Sequence, residues 1–366
     1  MNDNDLIYKI GISLIPGIGD ISGKKLIAYC GGVEAVFKES RQALMKIPGI
    51  KTQTVNKILG ADVKRRAEKE IEFIKMKNLN CHFFLDKDYP ERLKHCIDGP
   101  MMIYSKGMIC WNTPRVLAIV GTRNITHYGK DLCSKLLKDL KGSGTLIVSG
   151  LAYGVDTKAH KESLKNDLKT IGVMAHGMDR IYPSENRELA MQMCEQGALI
   201  TEFKSGSKPD RENFPKRNRI VAGMSDAVLV VESAGKGGAL ITADIGNSYD
   251  RDVFAFPGNV NATYSEGCNF LIKTHRAALV QNAADINYLM GWESEKPKVG
   301  IQKKLFVELD EEEKIIIEVL KQHPEVGVDK MSLLTELPTS KVSAKSMSLE
   351  FKGLIHCMPG KVLKLV

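Results

Sequence analysis

The sequence predicts an α/β protein built on a parallel sheet buried on both faces, with a smaller helical unit before it and another after it. Three observations carry this. From about residue 82 to residue 290, short apolar runs alternate with stretches of helical periodicity, the pattern of successive βαβ units. The first eighty or so residues lack that alternation and repeat one helical pattern twice. Past Gly291 the composition turns charged and proline-bearing, WESEKPKVGIQKKLFVELD, which marks a linker over 291–308 ahead of a third unit. A length of 366 residues suits two or three domains at about 150 residues each.

In the first unit, residues 1–80, Leu14 to Cys30 reads LIPGIGDISGKKLIAYC and Met45 to Gly60 reads MKIPGIKTQTVNKILG. Each copy predicts a helix, a tight turn at Pro-Gly, and a second helix whose amide end faces outward, where it can hold a phosphate. The pattern resembles a tandem helix-hairpin-helix module, which implies sequence-independent contact with a nucleic-acid backbone. The first copy keeps Gly17 and Gly19, whereas the second keeps Gly49 and has Lys51 where its other glycine would fall. A helical bundle serving protein contacts fits the same residues.

In the central unit, residues 81–290, the predicted strands are Val116 to Val120, Leu146 to Ser149, Thr170 to Ala175, Ala198 to Glu202, Ala227 to Val231 and Val253 to Phe256. Gly121, Gly150, Gly177, Gly235, Gly237, Gly238 and Gly258 fall just beyond strand carboxyl ends, where open α/β sheets place their ligands. The loop GTRNITHYG spaces Gly121 and Gly129 too widely for a dinucleotide fingerprint, so no NAD site and no other cofactor is expected. It supplies Thr122 and Arg123 instead, a pair suited to an exposed phosphodiester. The next loop, SGLAYGVDTKAH, offers Ser149, Gly150 and Gly154, with Asp156 expected to cap its helix through His160.

Between Lys204 and Arg219 the chain reads KSGSKPDRENFPKRNR, six cations and one phenylalanine within sixteen residues ahead of a buried strand. Arginine there offers a planar fork to phosphate oxygens and lysine a point charge. The net charge of +8 and pI near 8.9 agree with a polyanionic partner, and equally with a merely soluble surface. GKGGALIT adds Lys236, Gly237 and Gly238, with Thr242 completing a phosphate cradle at a helix start.

Other classes are disfavoured. With 43% hydrophobic and 26% charged residues the composition is that of an ordinary globular protein, and no apolar run approaches the roughly 20 residues that cross a bilayer. MNDNDLIYKI lacks the layout of a secretory signal, and eight cysteines without a CxxC pair read as reduced core residues, so a cytoplasmic location and no metal site are expected. No catalytic motif is found: the histidines lack HExxH spacing, and neither a G-x-S-x-G elbow nor a Walker lysine is present. His160 and His176 face the crevice or serve the core. Glu202 and Glu232, expected at the ends of adjacent strands, are the best carboxylate pair, with capping or arginine orientation as their other role.

In the third unit, residues 309–366, Glu311 to Gln322, Val328 to Glu336 and Thr339 to Phe351 predict helices, and Leu354 to Val366 a hairpin turning at Pro359 and Gly360. This is the order of a winged helix. Lys341 and Lys345 fall on its third helix, which carries no arginine, so duplex and protein contacts both stay open.

IVGTR at Ile119 to Arg123, SGLAYGVDTKAH at Ser149 to His160, GVMAHGMDRIYPSEN at Gly172 to Asn186, FPKRNRIVAG at Phe214 to Gly223, GGALITA at Gly237 to Ala243 and DVFAFPGNV at Asp252 to Val260 together resemble the DprA/Smf family. The resemblance implies a Rossmann-like central domain in a non-enzymatic recombination mediator of natural transformation, which holds incoming single-stranded DNA, loads RecA and forms a homodimer. Carried over by motif, it implies that Gly121, Thr122, Arg123, Ser149, Gly150, Phe214, Lys216, Arg217, Asn218, Arg219, Lys236, Gly237 and Gly238 contact DNA. Phe214 is the expected stacking platform, with Tyr153 and Tyr182 as lesser ones. A nucleotide-binding enzyme of the lysine-decarboxylase-like type and a pure scaffold are the alternatives. The enzyme reading requires a PGGxGTxxE loop, and Ala239 and Leu240 stand where its Gly and Thr belong.

Overall fold

Two Pro-Gly turns organise the N-terminal unit. Gly17 and Gly49 take φ of +82° and +80°, a left-handed conformation that glycine adopts without steric cost. Each IPGI segment therefore reverses the chain, between α1 (Asp3–Ser13) and α2 (Asp20–Cys30) and again between α4 (Arg41–Met45) and α5 (Thr52–Gly60), with α3 (Val33–Lys38) joining the copies and α6 (Val63–Lys77) closing the bundle. The copies face each other reciprocally, the Lys57 ammonium lying over Gly17 and that of Lys25 over Gly49. The computed structural model describes residues 3–60, 63–108, 110–292 and 309–366, so the expected linker falls almost wholly outside the described residues.

A nine-stranded sheet follows in the order β1-β2-β6-β5-β4-β3-β7-β8-β9. Its strands and helices are β1 (Asn80–Phe83), α7 (Glu91–Lys94), β2 (Met102–Gly107), β3 (Val116–Val120), α8 (His127–Asp139), β4 (Leu146–Ser149), α9 (Val155–Lys165), β5 (Thr170–Val173), α10 (Arg187–Gln196), β6 (Ala198–Thr201), α11 (Asn213–Gly223), β7 (Ala227–Val230), α12 (Gly238–Ser248), β8 (Asp252–Ala255), α13 (Glu266–Lys273), β9 (Ala278–Leu279) and α14 (Ala283–Leu289). From β6 to β9 every pairing is parallel. The expectation of a wholly parallel sheet is corrected at one edge, where β1 and β2 pair antiparallel with each other and β2 with β6. No helical crossover separates these two strands, so the alternation that reveals the others is missing.

Strand β3 shows why the sheet is buried twice over. Val116, Ala118 and Val120 join Ile220, Val221 and Ala243 of α11 and α12 on one face, while Leu117 and Ile119 meet Cys133, Leu136 and Ala159 of α8 and α9 on the other. Each valine, leucine or isoleucine among them contributes about 1.5 to 3 kcal/mol on leaving water. After β3 the chain builds β4, β5 and β6 outward on one side, then returns along α11 to place β7 on the opposite side of β3. The carboxyl ends of β3 and β7 thus flank a switch point, the place where a doubly wound sheet opens a crevice.

The N-terminal bundle is joined to this sheet. Its apolar residues form one core with Cys81, Phe83, Met101, Met102 and Tyr104, so that core runs past residue 80 into β1 and β2. Asp20 accepts the Met101 amide at 2.7 Å and an Arg219 guanidinium nitrogen at 3.1 Å. Glu70 accepts from the Ser205 amide and hydroxyl at 2.8 and 2.5 Å.

The C-terminal unit comprises α15 (Glu311–Gln322), β10 (Glu325–Gly327), α16 (Val328–Thr335), α17 (Thr339–Phe351), β11 (Ile355–Met358) and β12 (Val362–Leu365), a winged-helix order in which β12 lies between β10 and β11. Asp310 and Glu313 form a capping box on α15, satisfying two amides that the helix itself leaves open. The same acids and Glu312 hold the third helix: Lys341 reaches Glu312 at 2.7 Å and Lys345 reaches Asp310 at 2.6 Å. Both lysines read from sequence as surface cations of α17 are therefore ion-paired within the unit.

Candidate nucleic-acid interface

The crevice between β3 and β7 is a cleft of ≈ 280 Å³ floored by Val120, Gly121 and Thr122 from one strand end and by Ser233 and Ala234 from the other. Helix α11 supplies Phe214, Arg217 and Asn218, spaced three and four residues apart and so on one helical face. Pro215 is tolerated there because it lies in the first turn, whose N–H groups have no partner within the helix. Lys236, Gly237 and Gly238 close the remaining side, and Gly237 caps α12 with no side-chain partner, which leaves that amide end open to the cleft. A shallower groove continues outward past Arg123, Phe214, Lys236 and Gly237 to Arg211 and Pro215.

Arg217 is the most constrained of these groups. It is only 4% exposed, donates to the Val173 carbonyl at 2.6 Å, and lies against Gly150, where an added Cβ would run into its guanidinium. Burial works against its charge, while neighbouring Asp156 favours it. Asp156 is likewise buried, and burial raises its carboxyl above the ordinary range despite Arg217. Gly154 takes φ of +77° with the Thr122 carbonyl pressed against it, which fixes the loop that presents Thr122 and Arg123. Arg123 lies over the Phe214 ring, 4.9 Å from its centroid, and Tyr182 meets that ring edge-on at 6.3 Å. Such a cation–π contact contributes about 0.5 to 2 kcal/mol, and it orders Arg123 at the rim.

Nine of the thirteen residues read from sequence line the cleft: Gly121, Thr122, Arg123, Phe214, Arg217, Asn218, Lys236, Gly237 and Gly238. Four are corrected. Ser149 is buried, with its hydroxyl donating to the Ile119 carbonyl, and Gly150 acts by admitting Arg217. Lys216 and Arg219 lie off the face that Phe214, Arg217 and Asn218 share. Lys216 is exposed outside the cleft, and Arg219 binds Asp20, Glu202 and the Asp98 carbonyl toward the N-terminal unit. Sequence reading missed Asp156, Ser233 and Ala234 as lining residues; a turn following a buried strand at a switch point is the signal that finds the last two.

The carboxylates and histidines weighed from sequence make hydrogen bonds and ion pairs within the fold. Asp156 accepts from the Ala152 amide at 3.3 Å inside the first turn of α9, whose cap is Gly154, and His160 turns instead to Thr170 at 2.7 Å. Burial pushes His160 down to about 3, with Arg217 adding to the effect. His176 accepts from the Tyr182 amide at 3.2 Å. Glu232 accepts the Thr126 amide and hydroxyl at 2.9 and 2.6 Å, while Glu202 pairs with Arg219 and is pushed up to about 7 by burial. The two are not on adjacent strands, because β5, β4 and β3 lie between β6 and β7. No group of three or more metal-ligating side chains occurs among the described residues, and no helix among them is long and apolar enough to cross a membrane.

A doubly wound sheet whose switch point gathers arginines, a lysine and an uncapped helix start defines a Rossmann-like α/β protein. Residues 80–291 match the family described as DNA recombination-mediator protein A, and the chain belongs to that family. The Smf protein of Synechocystis sp. is 31% identical over 98% of both chains. The solved DNA processing protein A of Streptococcus pneumoniae covers 78% of this chain and 97% of its own at 31% identity, with a TM-score of 0.67. That of Helicobacter pylori, described for its single-stranded DNA binding mode, covers 58% and 96% at 29% identity, with a TM-score of 0.53.

Proposed function

We propose that this cleft grips the backbone of single-stranded DNA, and that the chain is a recombination mediator of natural transformation which protects the incoming strand and passes it to RecA. One observation carries the reading: Arg123, Arg217 and Lys236 converge with the open amides of Gly237 and Gly238 on a single crevice. Phosphates meet guanidinium forks and helix-end amides there, and Phe214 with the Arg123 plane offers stacking that any base satisfies. The single-stranded DNA binding of the Helicobacter pylori relative supports the same assignment. The role is non-catalytic and cytoplasmic, and the working form is a homodimer. Leu279 on the edge strand β9 and Tyr288 and Leu289 on α14 are exposed and offer apolar surface to a second copy.

Fluorescence anisotropy of a labelled oligothymidylate tests the reading. Arg123→Glu weakens binding at least tenfold and lowers the slope of log affinity against log salt by about 0.7 for each phosphate that is no longer neutralised. Excess mononucleotide does not displace the strand, whereas a nucleotide-binding enzyme would exchange it. An unchanged affinity for Arg123→Glu overturns the proposal. Loading is tested separately, by whether the protein accelerates RecA assembly on strands coated with single-strand-binding protein.

A further inference from the structure

A second cavity, of ≈ 590 Å³, lies beside the cleft and is lined by Thr126, Tyr128, Glu232, the 257–259 loop and Tyr264. Its volume falls in the range of small-ligand sites, about 300 to 1,000 Å³. Two hydrogen bonds join its walls to those of the cleft, and a third ties it to Asn124 in the loop between them. The Thr122 amide donates to the Glu232 carbonyl at 2.7 Å, the Ser233 amide to the Tyr264 carbonyl at 2.7 Å, and the Asn124 side-chain amide to the Tyr264 hydroxyl at 3.2 Å. Only the short ridge of 122–124 and Ser233 separates the two.

The chemistry of the two spaces is opposite. The cleft holds Arg123, Arg217 and Lys236, whereas among the described residues this slot is lined by no cation, and its one charged side chain is the Glu232 carboxylate. A phosphate is repelled from such a place. Two tyrosines wall it, and their hydroxyls are tied down: that of Tyr128 donates to the Pro257 carbonyl at 2.6 Å, and that of Tyr264 accepts from Asn124. Fixed rings present flat, apolar faces at little entropic cost, and Tyr128 is 46% exposed. Thr263 and Asn259 add a hydroxyl and an amide to its lining.

We infer that the slot receives an unpaired nucleobase from the strand whose phosphates occupy the neighbouring cleft. The inference rests on the proposed single-strand grip and adds a subsite to it. The backbone crosses the ridge, the phosphate stays with the cations, and the next base turns in against Tyr128.

The test compares a fluorescein-labelled oligothymidylate with an oligomer of equal length made wholly of abasic residues. Tyr128→Ala weakens the thymidylate by roughly fivefold to a hundredfold, the range that one stacked base supplies. It leaves the abasic oligomer unaffected, and Tyr128→Phe, which keeps the ring, binds both within about twofold of the parent protein. Equal binding of the thymidylate by parent and Tyr128→Ala overturns the inference, as does an equal weakening on both oligomers, which marks a change in structure. Arg123→Glu, measured alongside, weakens both. If it weakens both while Tyr128→Ala weakens neither, the slot alone is refuted; if it too has no effect, the grip itself is refuted.

Discussion

Replacing Gly150 by alanine adds one methyl group at a position whose backbone lies outside the left-handed region, so no conformational strain is involved. The whole effect is steric, because the new Cβ occupies space already filled by the Arg217 guanidinium. If Arg217 shifts within its socket, the cost is that of overpacking, about 1 to 3 kcal/mol. If it leaves, buried Asp156 is deprived of its counter-charge and the cost rises toward about 3 to 5 kcal/mol. For a domain of this size the first case lowers the melting temperature by about 2 to 12 °C. Displacing a charged hydrogen-bond donor from the cleft also weakens oligonucleotide binding by about tenfold to a hundredfold. Calorimetry and anisotropy read both, and the Arg217→Ala background isolates the cause. With the guanidinium absent, Gly150→Ala adds almost nothing to either effect. Full additivity of the two substitutions, or parental stability in Gly150→Ala alone, refutes the reasoning.

Two buried groups set opposing pH dependences. His160, held down to about 3 from 6.5, makes the folded state bind fewer protons than the unfolded one, so its contribution to stability is lost as pH falls below 6.5. Glu202, held up to about 7 from 4.5, does the reverse, and its contribution is lost as pH rises from 4.5 to 7. Urea melts of His160→Gln therefore show stability declining with rising pH across that shared window, and those of Glu202→Gln show it increasing, by about 1 kcal/mol per pH unit in each case. Arg219→Ala removes the donor shared by Glu202, Asp20 and the Asp98 carbonyl and destabilises the protein by about 1 to 3 kcal/mol for each buried acceptor left unpaired, with faster amide exchange in α2 and α11. Truncating the α17 lysines, by contrast, leaves the urea midpoint almost unmoved, because Lys341 and Glu312 meet at the surface.

Much of the architecture was legible because periodicity and glycine placement record it directly. The six strands from β3 to β8 were found within a residue or two, the two-residue β9 was missed, and the paired IPGI segments announced their own turns. β1 and β2 escaped, since NCHF and MIYSKG are short and no helix separates them by the usual interval. At the site, residue type identified which groups favour phosphate, but not which way each one points. FPKRNR looks uniformly cationic in one dimension. Wound into a helix, it sends Arg217 into the sheet and Arg219 toward Asp20. The role of Asp156 was hidden for the same reason: its counter-charge lies far along the chain. Glu202 and Glu232 look equivalent as strand-end carboxylates, and only strand order, which crosses back after β6, separates them.

The fusion of the hairpin bundle with the sheet bears on how this protein can be trimmed. A gene fragment starting at Asn80 would expose the flank formed by Phe83, Met101, Met102 and Tyr104, and would deprive Arg219 of Asp20. Such a fragment needs polar replacements along that flank to remain dispersed in solution, whereas cutting elsewhere, between residues 293 and 308, severs no described element.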